Sequence, residues 1–229
     1  MTSNEFSVAW AKARRGSELH RINGAGCYTL PALSGVQGIS HGFSDRTGGV
    51  STGCFASMNL SLTRKDDPEK VYENYRLFAK AMGFPVESMV SDHYAHGTTV
   101  LRVDAADRGR GFQNSPLPSC DGLVTDDPAV TLITGHADCM AFYCVDPVHR
   151  AVGLAHAGWR GALGRIGLTL IETMAAEFSS DPAELLLGVG PSICPACFEV
   201  DPDVAELFRS AFPELPCILP GKPGKAHID

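Results

Sequence analysis

The stretch "HADCMAFYCVDPVHRAVGLAH", residues 136–156, decides how the rest of the chain is read. Residues 140–145 form an apolar run, Asp146-Pro147-Val148-His149-Arg150 carries turn formers, and residues 151–154 are apolar again. The pattern predicts an antiparallel hairpin. If the hairpin is symmetric about Pro147-Val148, Cys139 falls directly opposite His156, and cross-strand partners have Cβ atoms about 4.5–5.5 Å apart. A zinc ion held by one sulfur at about 2.3 Å and one imidazole nitrogen at about 2.0 Å needs donors roughly 3.5 Å apart, so the spacing suits chelation. It suits equally a cysteine–histidine nucleophilic pair in which imidazole promotes the thiolate. A third reading, a cysteine acting as a small buried hydrophobe, stays open for Cys139 and is preferred for Cys144, which lies inside the run.

Outward from the hairpin, strand-like runs occur at residues 100–103, 129–134 and 185–189. Three amphipathic helices are legible. One spans residues 68–82, with Asp66 and Asp67 as caps, Pro68 in the first turn, Val71, Tyr75, Phe78 and Met82 at helical spacing, and Gly83 as the stop. A second follows Gly161 with Leu163, Ile166, Leu170 and Met174 on one face, and a third opens at Asp201-Pro202-Asp203 and buries Val204, Leu207 and Phe208. Strands and helices do not alternate strictly, so the expectation is an α+β fold, a single domain over residues 1–229 with a mixed β-sheet core flanked by helices.

The 229 residues, 44% of them hydrophobic and 20% charged, describe an ordinary soluble domain. A net charge of -7 argues against nucleic-acid binding, which needs a clustered positive surface. No run reaches the roughly 20 apolar residues that span a bilayer, so no membrane partner is expected. Residues 1–20 hold no apolar segment after their basic residues, which predicts a cytoplasmic protein whose eight cysteines stay reduced.

Other polar clusters are weaker as bare patterns. "HGFSDRTGGVSTG", residues 41–53, joins glycines to Arg46, which could hold an anion bidentately. "AHAGWRG", residues 155–161, flanks His156 with small residues and presents Arg160; "DHYAHG", residues 92–97, supplies His93 and His96. Cys194 and Cys197 form a C-x-x-C without a second such pair, and read as packing in preference to a redox pair.

"HGFSDRTGGVS", "AHG", "CDGLVTDDP", "HADC", "AHAGWRG" and "GPSICPACFEV" occur in the order seen in the laccase-domain family, which this chain resembles from about residue 38 onward. That family was first described as multicopper polyphenol oxidase-like and later as purine nucleoside phosphorylases with adenosine deaminase activity; bacterial members are also called peptidoglycan editing factors. The resemblance implies one zinc bound by His96, Cys139 and His156, with a fourth position open, and purine nucleoside and phosphate as substrates. An open position marks a catalytic zinc, which lowers the pKa of bound water or polarises a substrate oxygen. Chemistry then suggests Asp138 as the acid/base group for deamination and Arg46 and Arg160 as anion contacts for phosphorolysis. Tyr94 stands where relatives carry glutamine and His136 where they carry threonine; His136, three residues from Cys139, is a candidate fourth ligand. The chain also ends at "HID", where relatives continue, so the family's C-terminal elements are expected to be missing. Three alternatives accompany this reading: a non-catalytic metal-binding module if His136 closes the site, a Cys–His hydrolase in peptidoglycan precursor editing, built on Cys139 and His156, and a copper-dependent polyphenol oxidase. The oxidase is disfavoured because the eight histidines form no H-x-H pattern.

Overall fold

A computed structural model describes residues 16–229 of the chain. The export-signal reading of residues 1–20 therefore lies mostly outside the described residues. Among the described residues no helix is long and apolar enough to cross a membrane.

The centre is a five-stranded sheet in the order Leu186–Val189, Met140–Asp146, Ala151–Ala157, Gly122–Thr125, Val100–Arg102. Its pairings are antiparallel except the last, which is parallel, so the sheet is mixed as expected. Side chains on Met140–Asp146 alternate between two cores, as the pleat requires. Cys144 joins Val124, Ala155, Ile166, Leu170 and Met174 on one face. Ala141, Tyr143 and Val145 meet Leu30 and Leu33 on the other. Smaller sheets flank this one: three strands near the N-terminus, a parallel pair of Met89–Ser91 with Thr131–Ile133, and three strands near the C-terminus.

The helix Pro68–Met82 forms where its end signals place it. The Asp67 carboxylate accepts from the Glu69 N–H, and Gly83 closes the last turn at φ 81°. The second helix is two. Trp159–Leu163 ends at Gly164, Arg165 turns left-handed at φ 62°, and Ile166–Phe178 begins in a new direction. Leu163 consequently packs with Trp159 against Val200 and Phe208 instead of sharing a face with Ile166. In Pro202–Ala211 Ala205 and Phe208 are buried and Val204 packs against the same cluster, whereas Leu207 is exposed, so the buried face is turned from Leu207 toward Ala205.

The eight cysteines are free. Cys144 is fully buried in the core, and burial pushes its thiol up to about 12. Cys194 and Cys197 are both exposed, which overturns their reading as packing: the segment before Glu199–Val200 is a surface turn.

Candidate metal centre

The hairpin forms, in a register different from the symmetric one. Asp146 Oδ1 accepts from the backbone N–H of Val148 at 2.8 Å and of His149 at 2.9 Å, and Oδ2 meets His149 Nδ1 at 2.8 Å. These bonds stabilise a four-residue loop that ends with Arg150 at φ 57°, and Asp146 pairs with Ala151. The strand pairing therefore sets Ala141 opposite His156, and Cys139, one step beyond the last paired residue, faces Gly158. Cys139 is not the direct partner of His156. The slip is by two residues, though, which keeps both side chains on the same face of the sheet.

Gly158 is what makes this register useful. A Cβ placed on it would stand 2.7 Å from His96 Nδ1, 3.5 Å from Cys139 Sγ and 3.5 Å from His156 Cε1. The bare glycine thus leaves a space that three side chains surround, and their donor atoms lie within 4.8 Å of one another. His156 is 2% exposed and its Nδ1 has no hydrogen-bond partner. A buried, unpartnered imidazole nitrogen normally carries a cost of about 1–3 kcal/mol, and a cation beside it would remove that cost. One thiol and two imidazoles, soft and borderline donors, suit zinc, and the three-donor set leaves room for a further ligand. The residues fit the ion.

His96 reaches the space from a loop, with φ at 58°, a region where histidine is tolerated better than most residues. Asp121, 1% exposed, secures that loop. Its Oδ1 accepts from the Ala95 N–H at 3.1 Å and its carbonyl accepts from the His156 N–H at 2.7 Å. Asp92, beside it, is buried with Oδ2 unpartnered; burial, then the Asp121 charge, pushes its carboxyl up to about 8. Tyr94 is 43% exposed and its ring centroid stands 4.5 Å from that of His156 and 5.4 Å from that of His96, forming an outer wall.

The shifts at the centre oppose an ionised dyad. Burial, then His96, holds His156 below its ordinary value, while burial and the neighbouring Asp138 push the Cys139 thiol up. A neutral imidazole and a protonated thiol are the resting pair, and a bound cation is what would deprotonate the sulfur.

His136 stands apart from the donor set. Its Nδ1 donates to the Cys139 carbonyl at 3.2 Å and its Nε2 accepts from the Thr134 hydroxyl at 2.7 Å, so both nitrogens are occupied in holding the Cys139 segment. Burial, then repulsion from His156, lowers its pKa to about 4 and keeps it neutral.

Asp138 is exposed and adjacent to Cys139 in the chain. Arg160 is exposed and lies 4.1 Å over the Trp159 ring, two residues after Gly158. Arg46 is not in the cluster: its Nη2 donates to the carbonyls of Cys54 at 3.0 Å and Ala56 at 3.1 Å, bracing its own loop. The sequence reading takes Gly158 as one of several small residues that let a backbone or ligand approach closely, and assigns no role to Asp121. The signal for both was their position, one two residues after His156 and the other at the mouth of a strand, flanked by small residues.

Residues 40–229 match the family described as "Multi-copper polyphenol oxidoreductase laccase". Purine nucleoside phosphorylase YlmD of Geobacillus stearothermophilus is 37% identical over 198 residues, covering 84% of this chain and 72% of that protein. Adenosine deaminase RL5, from an unknown prokaryotic organism, is 32% identical over 205 residues, covering 87% of this chain and 78% of that protein. The crystal structure of YlmD from Geobacillus stearothermophilus superposes with a TM-score of 0.82 at 33% identity, over 95% of this chain and 79% of that one. Motif order, sheet topology and a family match over most of its length agree: the chain belongs to the multi-copper polyphenol oxidoreductase laccase family.

Proposed function

We propose that the chain is a zinc enzyme of purine nucleosides, cleaving adenosine or inosine with phosphate and deaminating adenosine, with His96, Cys139 and His156 as the metal ligands. The observation that carries the reading is the convergence of these three donors on the space left by Gly158. The names of the relatives, a phosphorylase and a deaminase, supply the substrate class. Zinc bound there would supply Lewis acidity toward a substrate oxygen or water.

The remaining roles fall to the chain's own residues. Tyr94 offers a flat, partly exposed face beside His156 on which a purine ring can stack. Asp138, exposed next to Cys139, moves the proton between the attacking water and the departing amine in deamination. In phosphorolysis phosphate attacks the anomeric carbon as the base leaves, and the exposed Arg160, two residues after Gly158, holds the anion. His136 and Asp121 position Cys139, His96 and His156 without touching substrate.

Elemental analysis and turnover test this together. The wild-type protein is expected to carry one zinc per chain and Cys139→Ala none, and the zinc-loaded protein to release adenine, inosine or hypoxanthine from adenosine with phosphate. Absence of turnover by the zinc-loaded wild type removes the proposal, and copper in place of zinc replaces it with the oxidative reading.

A further inference from the structure

Cys194 and Cys197 have no part in the metal centre, yet their geometry is that of a working pair. The Cys197 N–H donates to the Cys194 carbonyl at 2.9 Å, and the Phe198 N–H to the same oxygen at 3.0 Å. A bond of this kind closes a turn whose first and fourth Cα atoms are less than about 7 Å apart. That overlaps the roughly 4.4–6.8 Å window in which two cysteines can be bridged without moving the backbone. Both residues are exposed and free. Cys27, Cys120 and Cys144, by contrast, are buried, and Cys54 is exposed with no second cysteine near it in sequence.

The two thiols are not equivalent. Cys194 lines a cleft of about 500 Å³ together with Pro195, Ala196, Leu219, Pro220 and His227; Cys197 does not. The cleft lies open to solvent, and its volume falls within the roughly 300–1,000 Å³ of small-molecule sites. The lining is mainly apolar, and His227 Nδ1 donates to the Pro195 carbonyl at 2.9 Å, pinning the turn between the cysteines to the neighbouring sheet. The Cys197 side chain, and then its backbone N–H, hold Cys194 below the ordinary thiol range, and the reciprocal effect pushes Cys197 up. Cys194 is thus the sulfur both accessible from the cleft and closer to thiolate, the nucleophilic form.

We propose that Cys194 and Cys197 form a dithiol that exchanges with small organic disulfides entering by this cleft. The Cys194 thiolate attacks one sulfur of the ligand; the ligand S–S bond breaks, one half leaves as a thiolate and takes up the proton that Cys194 gave up. Cys197 then attacks the Cys194 sulfur of the mixed disulfide, the second half leaves and takes up the Cys197 proton. The protein dithiol is oxidised to a disulfide, and one ligand disulfide is reduced to two thiols.

The test uses the full-length, fully reduced protein and glutathione disulfide as the probe, with acid quenching and peptide mapping by mass spectrometry. The expected product is a Cys194–Cys197 disulfide with two reduced glutathione molecules released per chain, formed at least about tenfold faster than any adduct at the solitary thiol Cys54. Cys197→Ser should stall with one glutathione on Cys194, and Cys194→Ser should react at position 197 no faster than Cys54 does. Both residues are exposed, so the serine variants should unfold at the wild-type temperature. Oxidation of the pair no faster than modification of Cys54, or a Cys197→Ser protein that accumulates no adduct on Cys194, overturns the proposal.

Discussion

Gly158→Ala isolates the metal centre from the rest of the fold. Gly158 sits at φ -71° and ψ 168°, a conformation open to any residue, so the backbone accepts alanine and only the added methyl acts. That methyl would stand 2.7 Å from His96 Nδ1. Non-bonded heavy atoms prefer about 3.5 Å or more, so the imidazole must retreat by roughly 0.8 Å. Metal–ligand distances tolerate about 0.2 Å, and the displacement exceeds this about fourfold. Perturbing the support of a ligand typically costs 10–100-fold in metal affinity; a shift of a ligand itself should cost at least about 100-fold, or ~2.7 kcal/mol. Competition with a chromophoric zinc chelator measures the affinity, and circular dichroism checks that the fold is retained. Gly135→Ala is the control, because its methyl would meet Tyr94 Cε1 at an ordinary 3.8 Å. A Gly158→Ala protein that binds zinc as tightly as the wild type would show that the three donors do not share an ion beside Gly158.

Three further outcomes are expected. Asp92 ionises near pH 8 when folded but near 3.9 when unfolded, so the folded state keeps a proton that the unfolded chain has released, and stability falls as pH rises from about 4 to about 8. Asp92→Asn should therefore raise the melting temperature most at pH 8 and not at all below pH 4; a gain independent of pH would contradict the assignment. Leu170→Ala, at a fully buried position, should cost about 2–5 kcal/mol in urea unfolding, and because Leu170 Cδ1 stands 3.0 Å from where a Gly153 methyl would be, adding Gly153→Ala should restore part of it. Asp67→Ala should cost about 1 kcal/mol by the same assay through loss of the bond to the Glu69 N–H.

The elements legible in the sequence were those with local end signals. Asp67, Pro68 and Gly83 delimit one helix to the residue because capping and the left-handed stop act within a turn. The break at Gly164–Arg165 was not legible, since an arginine at positive φ leaves no mark in the hydrophobic pattern. Nor was the strand Gly122–Thr125: four residues, buried throughout and followed by two aspartates, show neither alternation nor length. At the site, Cys139 and His156 were paired for a reason half right. The hairpin was plain, but its register depends on the Asp146 carboxylate stabilising a four-residue loop, which moves the midpoint by one residue. His96 came from motif resemblance alone, because the loop that delivers it is shaped by a carboxylate 25 residues further along the chain.

That carboxylate residue, Asp121, grips the His96 loop with its side chain and the His156 strand with its backbone. Two donors from distant parts of the chain are therefore held in place by ordinary folding, before any ion arrives. A chelator would leave behind a folded apoprotein and not a collapsed one, and zinc uptake should be fast and accompanied by little ordering of the backbone, a signature that hydrogen exchange of residues 95–97 can read directly.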